Sequence, residues 1–285
     1  MPRLALPTSV PSEPIDLRLV VTDLDGTLLD GDGQLPPGLW PLLGRLRRRG
    51  IVLAPASGRQ LPALQRLFGA DPEGLAFIAE NGTYVVHNGE ELSSSPLQPG
   101  FARSLVGTVR ELAAAGHDLG LVWCGREAAY IERSDERFVA EVRRYYAELV
   151  VVDDLLEVTQ EAIKCAVLDF GEPERGSAAL LAERCAPHQV VLSSPHWLDV
   201  MNAGVNKGVA LDFLQRALGI APEQTVVFGD YLNDLEMLAG APHSFAMANA
   251  HPEVLDTARY VAPTNREHGV LSVVERLLDQ PRRAA

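Results

Sequence analysis

Residues 17–30 read LRLVVTDLDGTLLD. The run from Leu17 to Val21 does not alternate polar with apolar, which is the pattern of a strand buried on both faces and so of a parallel sheet covered by helices. It ends in two carboxylates, Asp23 and Asp25, that bracket Leu24. Residues i and i+2 of an extended segment point to the same side about 6.6 Å apart. That is roughly the span of a phosphoryl group, so one carboxylate can attack while the other manages protons. Gly26 lets the backbone turn sharply, and Thr27 can bond the loop or an incoming phosphate from the same turn. Taken alone, DxDG is also a surface turn or a piece of a calcium loop. No acidic ligand series continues beyond Asp30 and Asp32, and the apolar strand leading in disfavours calcium.

Outward from this stretch, GIVLAPASG at 50–58, LAFIAENG at 75–82 and TVVFGD at 225–230 repeat the buried-strand pattern. Helical patterns lie between them, in PGLWPLLGRLRRRG, QLPALQRLFG and NKGVALDFLQRALG, each closing on a glycine. Strand then helix, repeated, predicts an α/β doubly wound domain with a parallel sheet. In such sheets ligands sit outside the carboxyl ends of the strands. The ends here carry Asp23 and Asp25, Ser57, Asn81 and Asp230.

The spacing is uneven: 34 positions separate Asp23 from Ser57, but 150 separate Ser57 from Lys207. An inserted α+β cap domain over residues 84–200 accounts for the gap, with strand-like runs LGLVWC, AAYIER, IKCAVLDF and HQVVLSS and helical runs near 101–115, 135–149 and 174–186. The core is then residues 17–83 and 201–285, preceded by a Pro-rich disordered tail at 1–16.

Each remaining strand end has an ordinary reading as well as a chemical one. Ser57 with Gly58 and Arg59 offers a hydroxyl and exposed amides to phosphate oxygens, or is a common Ser-Gly loop. Lys207 precedes Gly208 at a helix start, where ammonium and helix amides together would stabilise phosphoryl charge, or is a surface lysine. In GDYLND, Asp230, Asn233 and Asp234 offer the hard oxygens that Mg²⁺ prefers, or simply cap a helix.

Taken in order, DLDGTLLD, ASGR, NKG and GDYLND resemble the four motifs of the haloacid dehalogenase (HAD) superfamily. The long gap after Ser57 is similar to its Cof-type branch of sugar-phosphate-type phosphatases, which carry a large α+β cap between the second and third motifs. AENGTYV at 79–85 resembles that branch's entry to the cap, and APTNREHGV its terminal loop; Tyr231 stands where many members have Asn. The resemblance implies a Mg²⁺-dependent hydrolase of small phosphorylated metabolites. Asp23 would form an aspartyl-phosphate, and Asp25 would protonate the leaving alcohol and then activate water. Asp23, the Asp25 carbonyl, Asp230 and Asp234 would serve the metal, and Thr27, Ser57, Gly58, Lys207 and Asn233 the phosphate or substrate. A phosphotransferase or phosphomutase using the same intermediate, or a non-catalytic phosphosugar-binding regulator, are the alternatives. Trp123, Arg126 and Trp197 are cap candidates by residue type only.

Composition narrows the partners. A formal net charge of −13 argues against nucleic acid, whose phosphates need a basic surface. No apolar stretch approaches the ~20 residues of a membrane span. Three cysteines without metal-type spacing suggest buried thiols in a cytoplasmic protein. The seven histidines have no paired spacing, and none is assigned to metal or catalysis. A monomer or small homo-oligomer is expected.

Overall fold

A computed structural model describes residues 10, 11, 13–69 and 73–280. The chain enters through β1 (Leu19–Thr22), α1 (Leu39–Arg48), β2 (Val52–Pro55), α2 (Leu61–Phe68) and β3 (Ala76–Ala79), followed by β4 (Tyr84–His87) and β5 (Glu90–Ser94). α1 forms because Leu39, Leu42, Leu43 and Leu46 recur at helical spacing and bury one face, while Arg45, Arg47 and Arg48 fall in its last turn, where cations suit the carbonyl end.

The middle of the chain builds a second body from α3 (Pro99–Ala114), β6 (Leu119–Cys124), β7 (Ala129–Ile131), α4 (Glu136–Val142), β8 (Leu149–Val151), β9 (Lys164–Asp169), α5 (Ser177–Cys185), β10 (Gln189–Ser194) and β11 (Trp197–Met201). The chain then returns through α6 (Lys207–Leu218), β12 (Thr225–Gly229), α7 (Leu235–Ala239), β13 (His243–Met247), α8 (Pro252–Thr257), β14 (Tyr260–Ala262) and α9 (Gly269–Asp279).

Five strands form a parallel sheet in the order β14-β13-β12-β1-β2, and bridges Leu53–Leu75 and Ala56–Ile78 carry the parallel arrangement on to β3. β1 lies between β2 and β12, so the residues that follow these three strands emerge at one edge of the sheet. The second body is a six-stranded sheet, β10-β11-β9-β6-β7-β8, antiparallel except for the β7–β8 pair. The doubly wound core with an inserted α+β cap is therefore the architecture observed.

The cap sheet is covered on both faces, which is why all six residues of β6 are buried. Leu121 and Trp123 pack in one apolar cluster with α3 and α5, and the alternate residues Val122 and Cys124 pack in another with Phe138 and Val142 of α4. Residues 84–94, assigned to the insertion from sequence, pair with β3 through β4, and Val85 and Val86 join the core cluster. The helix read over 135–149 stops at Val142; residues 143–148 turn the chain, and Leu149–Val151 pairs as a strand beside β7.

Residues 1–9 and 12 of the expected tail lie outside the described residues. Of the rest, Val10 and Ile15 pack against the core cluster, and the Pro11 carbonyl accepts from Gln280 at 3.0 Å. Among the described residues no helix is long and apolar enough to cross a membrane. Cys124, Cys165 and Cys185 are buried and unpaired.

Candidate active site

Asp23 follows β1 directly and is almost wholly buried. The chain then bends through Gly26 at φ +84°, where a Cβ would also collide with the Asp230 carboxylate, so both backbone and space require glycine. Thr27, expected on the phosphate, donates its hydroxyl to Asp230 Oδ1 at 2.7 Å and thereby holds that carboxylate.

Lys207 opens α6, whose N-cap Asn206 accepts from the Val209 amide at 2.8 Å. Its fully buried ammonium donates to Asp23 Oδ1 at 2.6 Å and to Asp234 Oδ1 at 2.7 Å. Burial disfavours this charge, but the two carboxylates outweigh it and raise the Lys207 pKa. The other oxygen of Asp234 accepts from the amides of Asp230 and Tyr231 at 2.9 and 3.2 Å. Asp234 thus has both oxygens engaged and orients the lysine and the Asp230 loop.

Ligand oxygens of Asp23, Asp230 and Asp234 lie within 4.8 Å of one another. Burial, reinforced by Asp234 and Asp25 and opposed by Lys207, pushes the Asp23 carboxyl up to about 7. Burial, with Asp23 and Asp234 beside it, likewise holds Asp230 well above the carboxylate range. Three carboxylates against one ammonium leave negative charge uncompensated, and the donors are hard oxygens, so the residues fit a divalent cation such as Mg²⁺.

Asp25 is held by a cation of its own. Arg59 Nε and Nη2 grip its two carboxylate oxygens at 2.7 and 2.6 Å. The same guanidinium lies 5.2 Å from the ring centre of Tyr145, a cap residue, so core and cap meet over the site. Ser57 is buried, and its Oγ accepts from the Arg59 amide at 3.2 Å.

Between the two bodies lies a cavity of about 340 Å³, with Asp23, Asp25 and Ser57 below and Arg144, Tyr145 and Trp197 above. Tyr145 and Trp197 meet edge to face, centroids 5.2 Å apart. Of the cap candidates, Trp197 alone lines this cavity: Trp123 is in the cap interior, donating to the Gln160 carbonyl at 3.1 Å, and Arg126 pairs with Glu161 at 3.0 Å. The Arg144-Tyr145-Tyr146 run is the sequence signal for the roof, and a helical pattern around it hides that signal.

Two asparagines without a local sequence signature brace the Asp23 loop. Asn249 donates to the Gly26 carbonyl at 2.8 Å, and Asn265 donates to the Leu29 carbonyl at 2.9 Å. Lys164, Glu80 and Asp199 form a second buried charge cluster beneath the cap, likewise without a local signature. Asn233 turns its amide nitrogen to Asn81 Oδ1 at 2.9 Å.

Comparison with known proteins gives the same direction. The family description for haloacid dehalogenase-like hydrolases matches residues 20–274. The chain is 30% identical to 5-amino-6-(5-phospho-D-ribitylamino)uracil phosphatase YbjI of Escherichia coli, over 93% of this chain and 97% of that one. It is 33% identical to an HMP-PP phosphatase of Escherichia fergusonii, over 83% and 86%. Among solved structures, a protein of Streptococcus mutans superposes with a TM-score of 0.84 at 25% identity, covering 93% of this chain and 100% of that chain. A haloacid dehalogenase-like hydrolase of Bacteroides thetaiotaomicron gives 0.79 at 25% identity, over 92% and 99%.

Proposed function

The chain belongs to the haloacid dehalogenase-like hydrolases and is a phosphatase of the Cof-type branch, and from that premise we propose that it removes phosphate from small phosphorylated metabolites through an aspartyl-phosphate on Asp23. The observation that carries this reading is the convergence of Asp23, Asp230, Asp234 and Lys207, with Asp23 and Asp230 lining the cavity where their strands end and Lys207 and Asp234 bonded behind them.

Asp23 attacks phosphorus in line with the leaving oxygen, and a P–O bond to its carboxylate forms as the bond to the leaving group breaks. Asp25 frees one oxygen from Arg59, takes up a proton from solvent there, passes it to the departing alkoxide oxygen, and then, as a carboxylate again, takes a proton from the water that cleaves the acyl phosphate. The Ser57 hydroxyl, the Gly58 amide and Lys207 hold the equatorial oxygens. Mg²⁺, when bound by Asp23, the Asp25 carbonyl and Asp230, supplies charge neutralisation between nucleophile and phosphate. Thr27 and Asp234 fix the Asp230 side chain and its loop.

The body from about residue 96 to 201 acts as the cap, and Arg144, Tyr145 and Trp197 set what lies beyond the phosphate. Aromatic edges with a cation suit a planar or anionic leaving group. The relatives named for a ribitylaminouracil phosphate and for HMP-PP make these the first compounds to try. Three buried unpaired thiols accord with a reducing, cytoplasmic setting.

The test is phosphate release from p-nitrophenyl phosphate and a panel including both compounds, with and without Mg²⁺, for wild type and Asp23→Asn. Mg²⁺-dependent release that disappears in the variant supports the reading. Equal release from folded Asp23→Asn refutes the nucleophile.

A further inference from the structure

Lys164 has no part in the chemistry above, yet it is 1% exposed and lies on the face of the cap sheet turned toward the core. Its Nζ is 2.7 Å from the Gly58 carbonyl, 2.7 Å from Glu80 Oε2 and 2.9 Å from Asp199 Oδ1. Asp199, from β11, is 2% exposed, and its other oxygen accepts from Asn81 Nδ2. Asn81 Oδ1 in turn accepts from Asn233 Nδ2 at 2.9 Å. A buried lysine is costly unless several groups face it. Here both carboxylates come with it, one from the cap and one from the core.

The chain of bonds has a fixed direction. A carboxylate beside an ammonium only accepts, so Asn81 must present its nitrogen to Asp199 and its oxygen to Asn233. Asn233 must then commit its nitrogen to Asn81, leaving its oxygen for the cavity it lines. One cap charge therefore dictates the orientation of an amide in the core that it never touches. The same ammonium sets a peptide plane: with the Gly58 carbonyl drawn to Lys164, the Arg59 N–H on the opposite edge of that peptide points to Ser57 Oγ. A Cβ on Gly58 would lie 3.1 Å from Asn81 Nδ2 and 3.4 Å from Asp199 Oδ2, so the loop rests directly on the chain of bonds.

We propose that Lys164 is a positioning residue supplied by the cap: it fixes the Gly58 peptide directly and the Asn233 amide through Asp199 and Asn81, so that phosphoryl transfer reaches full rate only with this cap strand seated. The proposal rests on the phosphatase reading, since it concerns the loop that would hold the phosphate.

The experiment measures kcat and KM for p-nitrophenyl phosphate in wild type, Lys164→Met, Asp199→Asn, Asn233→Ala and the two doubles that add Asn233→Ala. A misplacement of the loop by a fraction of an ångström is expected to lower kcat about 10- to 100-fold with KM within about threefold. In the Asn233→Ala background Asp199→Asn should cost distinctly less, because the amide it acts through is gone, whereas Lys164→Met should keep the share it exerts directly on the Gly58 peptide. Should Lys164→Met fail to fold, Asp199→Asn decides alone, being isosteric and relieved of charge while freeing Asn81 to turn over. Unchanged kcat in Asp199→Asn, or an equal loss from Asp199→Asn with and without Asn233, overturns the proposal. An inactive wild type overturns the phosphatase reading and the proposal together, whereas an active wild type with unaffected variants overturns the proposal alone.

Discussion

Two buried lysines, Lys207 in the core and Lys164 in the cap, each stand between two carboxylates, yet they are built for different ends. Three oxygens surround Lys164 Nζ within 2.9 Å, as many as it has N–H donors, and one of them is a backbone carbonyl. Lys207 Nζ donates to two, Asp23 and Asp234, and a third carboxylate, Asp230, faces Asp23 without a lysine of its own. The cap cluster is closed on itself and holds surfaces in place. The core cluster keeps a donor and carboxylate oxygens in hand, which is what a site needs when it must receive a metal and a phosphate. Both clusters reach the cavity, Lys164 and Asp199 from the cap and Asp23 and Asp230 from the core, so unspent valence rather than burial or ion pairing marks the active site.

The sharpest way to break the comparison is to remove each ammonium. Lys207→Met should lower kcat/KM by about 10³-fold or more, since it loses both a charge aimed at the phosphate and the partner of Asp23. If Lys164→Met proved as damaging as Lys207→Met in folded enzyme, the distinction between the clusters would fall. Next in size, Asp234→Asn should reduce kcat about 10- to 100-fold and raise the Mg²⁺ concentration needed for half-maximal rate, because the Asp230 loop loses its brace. Asp199→Asn should leave that Mg²⁺ concentration unchanged, and a Mg²⁺ titration of both variants checks the pair.

Stability against pH separates the clusters more gently. The Asp23 carboxyl rises from 3.8 to about 7 on folding, so its favourable contribution is complete below pH 3.8 and is lost as pH climbs toward 7. Glu80, raised by burial against the opposing Lys164, has the same sign. Metal-free protein should therefore melt at falling temperature as pH rises from about 4 to 7. Mg²⁺ should flatten the part of that slope belonging to Asp23 and leave the part belonging to Glu80. A slope indifferent to Mg²⁺ would place the metal elsewhere. The smallest effect is Thr27→Val, expected to cost about 1 kcal/mol of Mg²⁺ binding through the lost bond to Asp230, read as a several-fold shift in the same titration.

The sequence made the core cluster legible and the cap cluster not, for a physical reason. Asp23, Lys207, Asp230 and Asp234 each sit where a buried strand ends or a helix begins, and such places have local signatures in apolar runs, glycines and caps. Lys164 and Asp199 lie within strands, in IKCAVLDF and WLDVM, where a single charge among apolar residues looks like an edge or a flaw. Their partner is 35 positions away in the chain and meets them only through the register of β11 against β9, Asp199 opposite Ala166. Asp25 and Arg59 show a related limit: both were placed at the strand ends, but their bidentate pairing depends on side-chain direction that no spacing records. The start of the cap is not legible because the short apolar run of β4 would suit either body, and only the pairing of β4 with β3, and of β5 with β4, assigns residues 84–94 to the core.

The central claim is that Asp23 carries the phosphoryl group. The most direct measurement is to quench the enzyme in acid during turnover of p-nitrophenyl phosphate with Mg²⁺ and locate any added phosphoryl group by mass spectrometry of the peptides. The account predicts one phosphoryl group on the peptide holding Asp23, chased away on further turnover and missing from Asp23→Asn. A phosphoryl group on another residue, or its persistence in a still-active Asp23→Asn enzyme, would contradict it.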